Sequence, residues 1–89
     1  MANTSKNMDA NKHYVYVVEC KDGTFYTGYT TDIKRRLGEH NSGDGAKYTK
    51  GRYPVTLKYQ ESYESRSLAQ KREYQIKQLP RSKKEELFN

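Results

Sequence analysis

The Asp22-Gly23 pair restricts the folding of this chain more than any other two residues in it. Glycine there supplies the positive φ of a tight hairpin turn, and the residues on either side want to be strands. Tyr14-Val15-Tyr16-Val17-Val18-Glu19-Cys20 is β-branched and aromatic, the side-chain types that suit a pleated and largely buried strand. Phe25 to Tyr29 then returns as a second strand, and together they predict an antiparallel hairpin. A chain of 89 residues removes only roughly 60–65% of its extended surface from water, so one small core must be built around that hairpin.

The remaining chain supplies what covers it. Thr30-Thr31-Asp32 offers N-capping oxygens, after which Ile33, Leu37 and His40 recur at helical spacing until Asn41-Ser42-Gly43, predicting a helix of about nine residues. Residues 43–54 hold three glycines, two tyrosines and three basic residues with no apolar period, which reads as a long exposed loop. Val55 to Glu61 sets Val55, Leu57 and Tyr59 against Thr56, Lys58 and Gln60, a third strand with one wet face. Ser65 caps a longer helix through about Gln78, with Leu68, Ala69, Ile76 and Leu79 as its apolar stripe, and Pro80 ends it. Ser82 and Glu85 have capping-box spacing and open a last helical turn bearing Leu87 and Phe88. The order is β-β-α-β-α-α, an α+β domain over residues 13–89. Residues 1–12 are polar without an apolar period and read as a disordered leader.

The net charge of +6 narrows the partners. Residues 1–44 carry six basic and six acidic side chains, whereas residues 45–89 carry eleven and five, so the whole excess lies in the second half. A surface of that kind meets polyanions, nucleic acid first and membrane surface second. No apolar run approaches the roughly 20 residues needed to span a bilayer, and the lone Cys20 permits neither an intrachain disulfide nor a multi-cysteine zinc cluster. Both features suggest a cytoplasmic protein, and any metal would be held by oxygen or histidine.

Several residues are placed for chemistry. At about 100° per residue, Arg72 falls at the centre of the second helix's apolar stripe and Glu73 on its edge. Glu73 there suits a hard divalent cation such as Mg²⁺, held together with waters and a substrate phosphate; alternatively Arg72 snorkels and Glu73 pairs with it or with Lys77. Arg36 and His40 share a face bordering Ile33 and Leu37, and guanidinium beside imidazole suits an anionic phosphate. Tyr16 and Tyr26 lie on adjacent strands and point two phenols toward one site, with Gly28 permitting close approach. Lys47, Tyr48, Lys50, Arg52 and Tyr53 interleave cations with aromatic rings on the glycine-rich loop, as in a track for single-stranded or distorted nucleic acid. Arg81, Lys83 and Lys84 read as an outer basic rim.

The order and spacing of Tyr14-Val15-Tyr16, Tyr26-Thr27-Gly28, Arg36, His40 and Glu73 resemble the GIY-YIG nuclease superfamily. The words Thr27 to Asp32, Gly45 to Arg52 and Arg72 to Lys77 resemble more closely its small stand-alone bacterial members of the YazA/YhbQ type, with Tyr14 standing where the family name has glycine. The resemblance implies a small three-stranded antiparallel sheet flanked by helices, sandwich-like, with a metal-dependent phosphodiesterase site on its face. It implies Tyr16 and Tyr26 as the motif tyrosines, Arg36 as the phosphate-binding arginine, His40 as a helper in proton transfer, Glu73 as the single ligand to Mg²⁺ (or Mn²⁺), and Gly28 as the residue that allows packing at the site. A tyrosine base, for which Tyr16 is favoured, needs nearby positive charge to lower its pKa from about 10. The expected function is a Mg²⁺-dependent DNA endonuclease or nickase acting on structured or branched DNA in repair or recombination. The alternative is a non-catalytic DNA- or RNA-binding module that uses the same basic half, and a protein adhering to anionic membrane is disfavoured.

Overall fold

Glycine at position 23 does adopt φ +85°, and Cys20 N donates to Thr24 O at 2.8 Å to close the turn. The computed structural model describes residues 12–88; the expected leader lies, apart from Lys12, outside the described residues. Strands β1 (His13–Glu19) and β2 (Phe25–Thr30) form the hairpin, with Tyr16 opposite Gly28 and Val17 opposite Thr27. Strand β3 (Thr56–Tyr63) pairs antiparallel with the other edge of β1, giving the order β2-β1-β3. β1 is therefore central and covered on both faces, which is why a run as apolar as Val15 to Val18 is at most 1% exposed.

Helix α1 (Ile33–Asn41) starts where Asp32 Oδ1 accepts from Arg35 N at 3.0 Å, and it covers the face carrying Tyr16, Val18 and Leu57. Helix α2 (Arg66–Lys77) starts at Ser65, whose Oγ accepts from Leu68 N at 3.1 Å, and packs Ala69 and Ile76 on Val15 and Val17 of the other face. Helix α3 (Arg81–Leu87) brings Leu87 to the same core, with Phe88 just beyond its end. The sheet is thus sandwiched, in the order β-β-α-β-α-α.

Four expectations need correction. Val55 and Leu57 do not share a face with Tyr59: a bulge between Val17 and Val18 leaves Lys58 as an extra residue, so Tyr59 turns toward α2 while Leu57 stays under α1. Leu68 is 53% exposed rather than part of the stripe, because the inward positions of α2 begin at Ala69. Pro80, not Ser82, is the N-cap of α3, and its carbonyl accepts from Lys83 N and Lys84 N. Arg81 leaves the basic rim to lie 4.1 Å over the Phe25 ring and donate to Gly23 O at 2.8 Å.

The loop after α1 is also less open than its composition suggests. A 3₁₀ turn spans Lys47–Thr49 and buries Thr49 completely. Arg52 O accepts from Lys21 N at 2.8 Å, and Asn41 Oδ1 accepts from Val55 N at 2.6 Å, so both ends of the loop are tied down.

Candidate active site

The site begins where the side chain of Tyr16 crosses the neighbouring strand. A methyl group on Gly28 would overlap the Tyr16 hydroxyl, so only glycine lets the phenol lie across β2. Its hydroxyl then meets His40 Nε2 at 2.8 Å, and His40 Nδ1 meets Thr49 Oγ1 at 2.7 Å. Gly45 makes room for this histidine in the same way, since a Cβ there would overlap Nδ1. Tyr16 is 1% exposed and His40 and Thr49 are 0% exposed, so these hydrogen bonds run through the interior.

The direction of the protons follows from the last member. A hydroxyl has one proton, and Thr49 donates it to the Ala46 carbonyl at 2.9 Å. Thr49 Oγ1 must therefore accept from His40 Nδ1–H, which leaves Nε2 as the acceptor for the Tyr16 hydroxyl. Burial, reinforced by the Arg36 charge, lowers the His40 pKa below 6.5 and keeps the ring neutral at neutral pH. The result is a single directed chain in which Tyr16 donates to His40, His40 to Thr49 and Thr49 to Ala46.

Arg36 bears on the same hydroxyl. Its guanidinium pulls the Tyr16 pKa down, but burial outweighs it and pushes the phenol up to about 12, with the Tyr26 and Glu73 charges adding to the rise. Against that burial the Arg36 charge by itself does not bring the phenol into range, and Tyr16 holds its proton at neutral pH. Arg36 is itself paired with Glu39 Oε1 at 2.8 Å, while Glu39 Oε2 takes Arg35 at 2.8 Å.

Of the other candidates, Tyr26 joins the cluster directly. Its ring lies 5.5 Å from that of His40 and 6.4 Å from that of Tyr16, and it stacks on Tyr48 at 5.7 Å. Arg52 lies over Tyr48 and pairs with Asp22. Lys47, Lys50 and Tyr53 stay on the exposed side of the loop. Glu73 approaches from α2 on the opposite face; its charge reaches Tyr16, and its Oε2 pairs with Lys77 Nζ at 3.0 Å, the structural alternative raised by the sequence. Arg72 turns to β3, where its Nε and terminal nitrogen hold both oxygens of Glu61, a carboxylate that also accepts from the Tyr59 and Tyr63 hydroxyls.

Among the described residues no three His, Cys, Asp or Glu side chains converge as a metal cage. A hard cation does not require one, because Mg²⁺ commonly keeps several waters and takes one or two carboxylates plus substrate phosphate. Glu73, 19% exposed and with one oxygen outside its lysine pair, fits that donor set. Thr49, Gly45 and Glu39 complete the site; Gly45 and Thr49 fall within the family-like word Gly45 to Arg52, but nothing in the sequence gives the three a role, and the cue to Thr49 is indirect, in that a buried histidine needs a partner at each nitrogen.

The sheet thus carries two tyrosines, one covering helix brings an arginine and a histidine to them and the other covering helix bears a carboxylate, all within one small α+β domain. Residues 12–86 match the GIY-YIG family described as a GIY-YIG catalytic domain, and the chain belongs to that family. Over 76 residues it is 67% identical to a UPF0213 protein of Halobacterium salinarum, covering 85% of this chain and 99% of that one. A UPF0213 protein of Staphylococcus saprophyticus is 56% identical over 89% of this chain and 96% of its own. The solution NMR structure of a UPF0213 protein from Bacillus halodurans superposes with a TM-score of 0.55 at 54% identity, covering 85% of this chain and 81% of that one. That of an E. faecalis protein gives 0.59 at 53% identity, covering 84% and 80%. No helix among the described residues is long and apolar enough to cross a membrane.

Proposed function

We propose that this protein is a Mg²⁺-dependent DNA endonuclease or nickase that hydrolyses phosphodiester bonds in structured or branched DNA, in repair or recombination. The observation that carries the reading is the directed hydrogen-bond chain from Tyr16 through His40 to Thr49, with Arg36 beside its outer end. Burial leaves Tyr16 with its proton at neutral pH, and His40 Nε2 at 2.8 Å is placed to take that proton as the phenol acts. As a water attacks phosphorus, Tyr16 Oη takes the water's proton while its own phenolic proton passes to His40 Nε2. The neutral imidazole becomes imidazolium, and it returns the proton to solvent after the cut. Burial of Tyr16 keeps bulk water off this hydrogen bond, so the water served is the one brought in with the substrate.

Arg36 meets the phosphate oxygens on which charge accumulates, with Glu39 giving up its place on the guanidinium. Tyr26, half-buried beside the same histidine, offers its hydroxyl to the attacking water or the phosphate. Glu73 would hold the cation, which when bound supplies positive charge at the leaving 3′ oxygen. The basic loop side chains Lys47, Lys50 and Arg52 take the flanking phosphates. Incubation with labelled plain, flapped and branched DNA, with and without Mg²⁺, tests the reading. Mg²⁺-dependent products that disappear with Glu73→Ala support it; no products on any substrate, or a Glu73→Ala protein that cuts like the parent, would falsify it.

A further inference from the structure

Among the described residues one buried side-chain polar atom lacks a hydrogen-bond partner: the hydroxyl oxygen of Thr27, a residue only 2% exposed. Such an orphan is costly, and valine would fill the same space without it, so the hydroxyl calls for a partner. Its place in the fold points to one. Phe25, Thr27 and Tyr29 alternate along β2 with Tyr26 and Gly28 and so face α2, and Thr27 stands opposite Val17, which packs with Ala69 and Ile76. Arg66, in the first turn of α2, lies 5.7 Å over the Tyr29 ring, and Arg81, beyond the end of α2, lies 4.1 Å over Phe25. Thr27 is midway between those two rings along the strand, and therefore falls beneath the middle of α2, the turn from Ala69 to Glu73.

Glu73 is the acceptor that this part of the helix provides. On the helix surface it is a neighbour of both buried residues, Ala69 four positions before it and Ile76 three after. It stands on the flank toward β2, since its charge reaches the Tyr16 phenol, which crosses that strand at Gly28, the residue after Thr27. Its side chain is 19% exposed, and while Oε2 pairs with Lys77 Nζ at 3.0 Å, Oε1 lies outside that pair. Ala69 and Ile76 have no side-chain acceptor, and Gln70 is exposed. A hydroxyl with a proton to give and a carboxylate oxygen able to accept it are thus neighbours that are not bonded to each other. A carboxylate that is the single protein ligand of a cation gains from just such a donor behind it, because hydrogen bonds to the outer oxygen set its orientation.

We propose that Thr27 is a positioning residue for Glu73: as the carboxylate leaves Lys77 for a divalent cation, the Thr27 hydroxyl donates to the oxygen that remains and fixes the plane of the carboxylate. The proposal rests on the nuclease reading for the cation at Glu73, and one set of measurements tests the two apart. Mn²⁺ titration of the protein without DNA, read by the electron paramagnetic resonance signal of the free ion, gives affinity, and urea unfolding without cation gives stability. Thr27→Val keeps the shape and removes the hydroxyl. Its Kd for Mn²⁺ should rise about 10- to 100-fold, while its urea midpoint should equal or exceed that of the wild type, because an unpartnered buried hydroxyl is gone. Thr27→Ser keeps the donor and should bind Mn²⁺ close to the wild-type strength, and Glu73→Ala should lose the site. Wild-type affinity in Thr27→Val, with Glu73→Ala unable to bind, overturns the positioning role and leaves the nuclease reading standing. A Thr27→Val midpoint below the wild type also overturns it, since the hydroxyl would then be partnered without the cation. Glu73→Ala protein that takes up Mn²⁺ like the parent, or a wild type that takes up none, removes the cation from Glu73 and the proposal with it.

Discussion

Thr49→Val deletes one oxygen from the interior of the site while keeping the branching and nearly the volume of the side chain. In the wild-type protein Thr49 accepts from His40 Nδ1 at 2.7 Å, and with both residues fully buried no water can take its place. A buried donor left unpaired costs about 1–3 kcal/mol, which urea unfolding would read directly. The imidazole can recover part of that cost by moving its proton to Nε2, and function suffers for it. Nε2–H then faces the Tyr16 hydroxyl as a donor and can no longer accept the phenolic proton. General-base assistance is worth about 10²–10⁴-fold, so single-turnover cleavage should fall by that range. Thr49→Ser keeps the hydroxyl and should retain most of the rate. Nitrogen-15 NMR of the imidazole distinguishes the protonated from the bare nitrogen in each variant. A Thr49→Val protein that cuts at the wild-type rate, or whose Nδ1 still carries the proton, would refute the direction assigned to the chain.

Three further outcomes follow from the same geometry. Gly28→Ala drives a methyl group into the Tyr16 phenol and should cost about 1–3 kcal/mol together with most of the activity, checked by urea unfolding and single-turnover cleavage; wild-type values in both would show that the close approach is not needed. Glu61→Gln leaves the Arg72 guanidinium and two tyrosine hydroxyls short of acceptor capacity and should lower stability by about 1–3 kcal/mol, with no loss if that network is idle. Stability should also fall on acidification. Burial holds the native His40 pKa below its unfolded 6.5, so below that pH the unfolded state takes up a proton that the native ring refuses. Stability is then lost as pH falls from 6.5 toward the lowered native value, and urea midpoints that stay flat or rise on acidification in that window would contradict it. Glu61 adds a second decline below 4.5: its burial pushes its pKa up, but the hydrogen bonds from Arg72, Tyr59 and Tyr63 outweigh it and hold it low.

Much of the fold is legible in the sequence because local chemistry decides it. The hairpin follows from Asp22-Gly23 between two strand-forming runs, and Asp32 and Ser65 cap the helices they precede. The residues themselves pair Tyr16 with Tyr26 on adjacent strands and Arg36 with His40 on one helix face, and the family resemblance is what joins the two pairs in one site. What escaped is decided by partners distant in the chain. Thr49 is buried because His40 needs an acceptor, and nothing within the glycine-rich loop signals that need. The bulge at Lys58 changes the face of β3 without breaking its alternation of half-buried and exposed residues, so the pattern of Val55, Leu57 and Tyr59 conceals it. The high pKa of Tyr16 likewise depends on how deeply β1 is buried, which sequence spacing does not report.

In the proposed mechanism Tyr16 and His40 together move the proton that phosphodiester cleavage requires. Tyr16→Phe removes the hydroxyl and leaves the ring packed over Gly28, so single-turnover cleavage of a flapped duplex in Mg²⁺ isolates that transfer. A fall of about 10²–10⁴-fold, with DNA affinity and fold retained, is the expected result. Cleavage by Tyr16→Phe at the wild-type rate would contradict it.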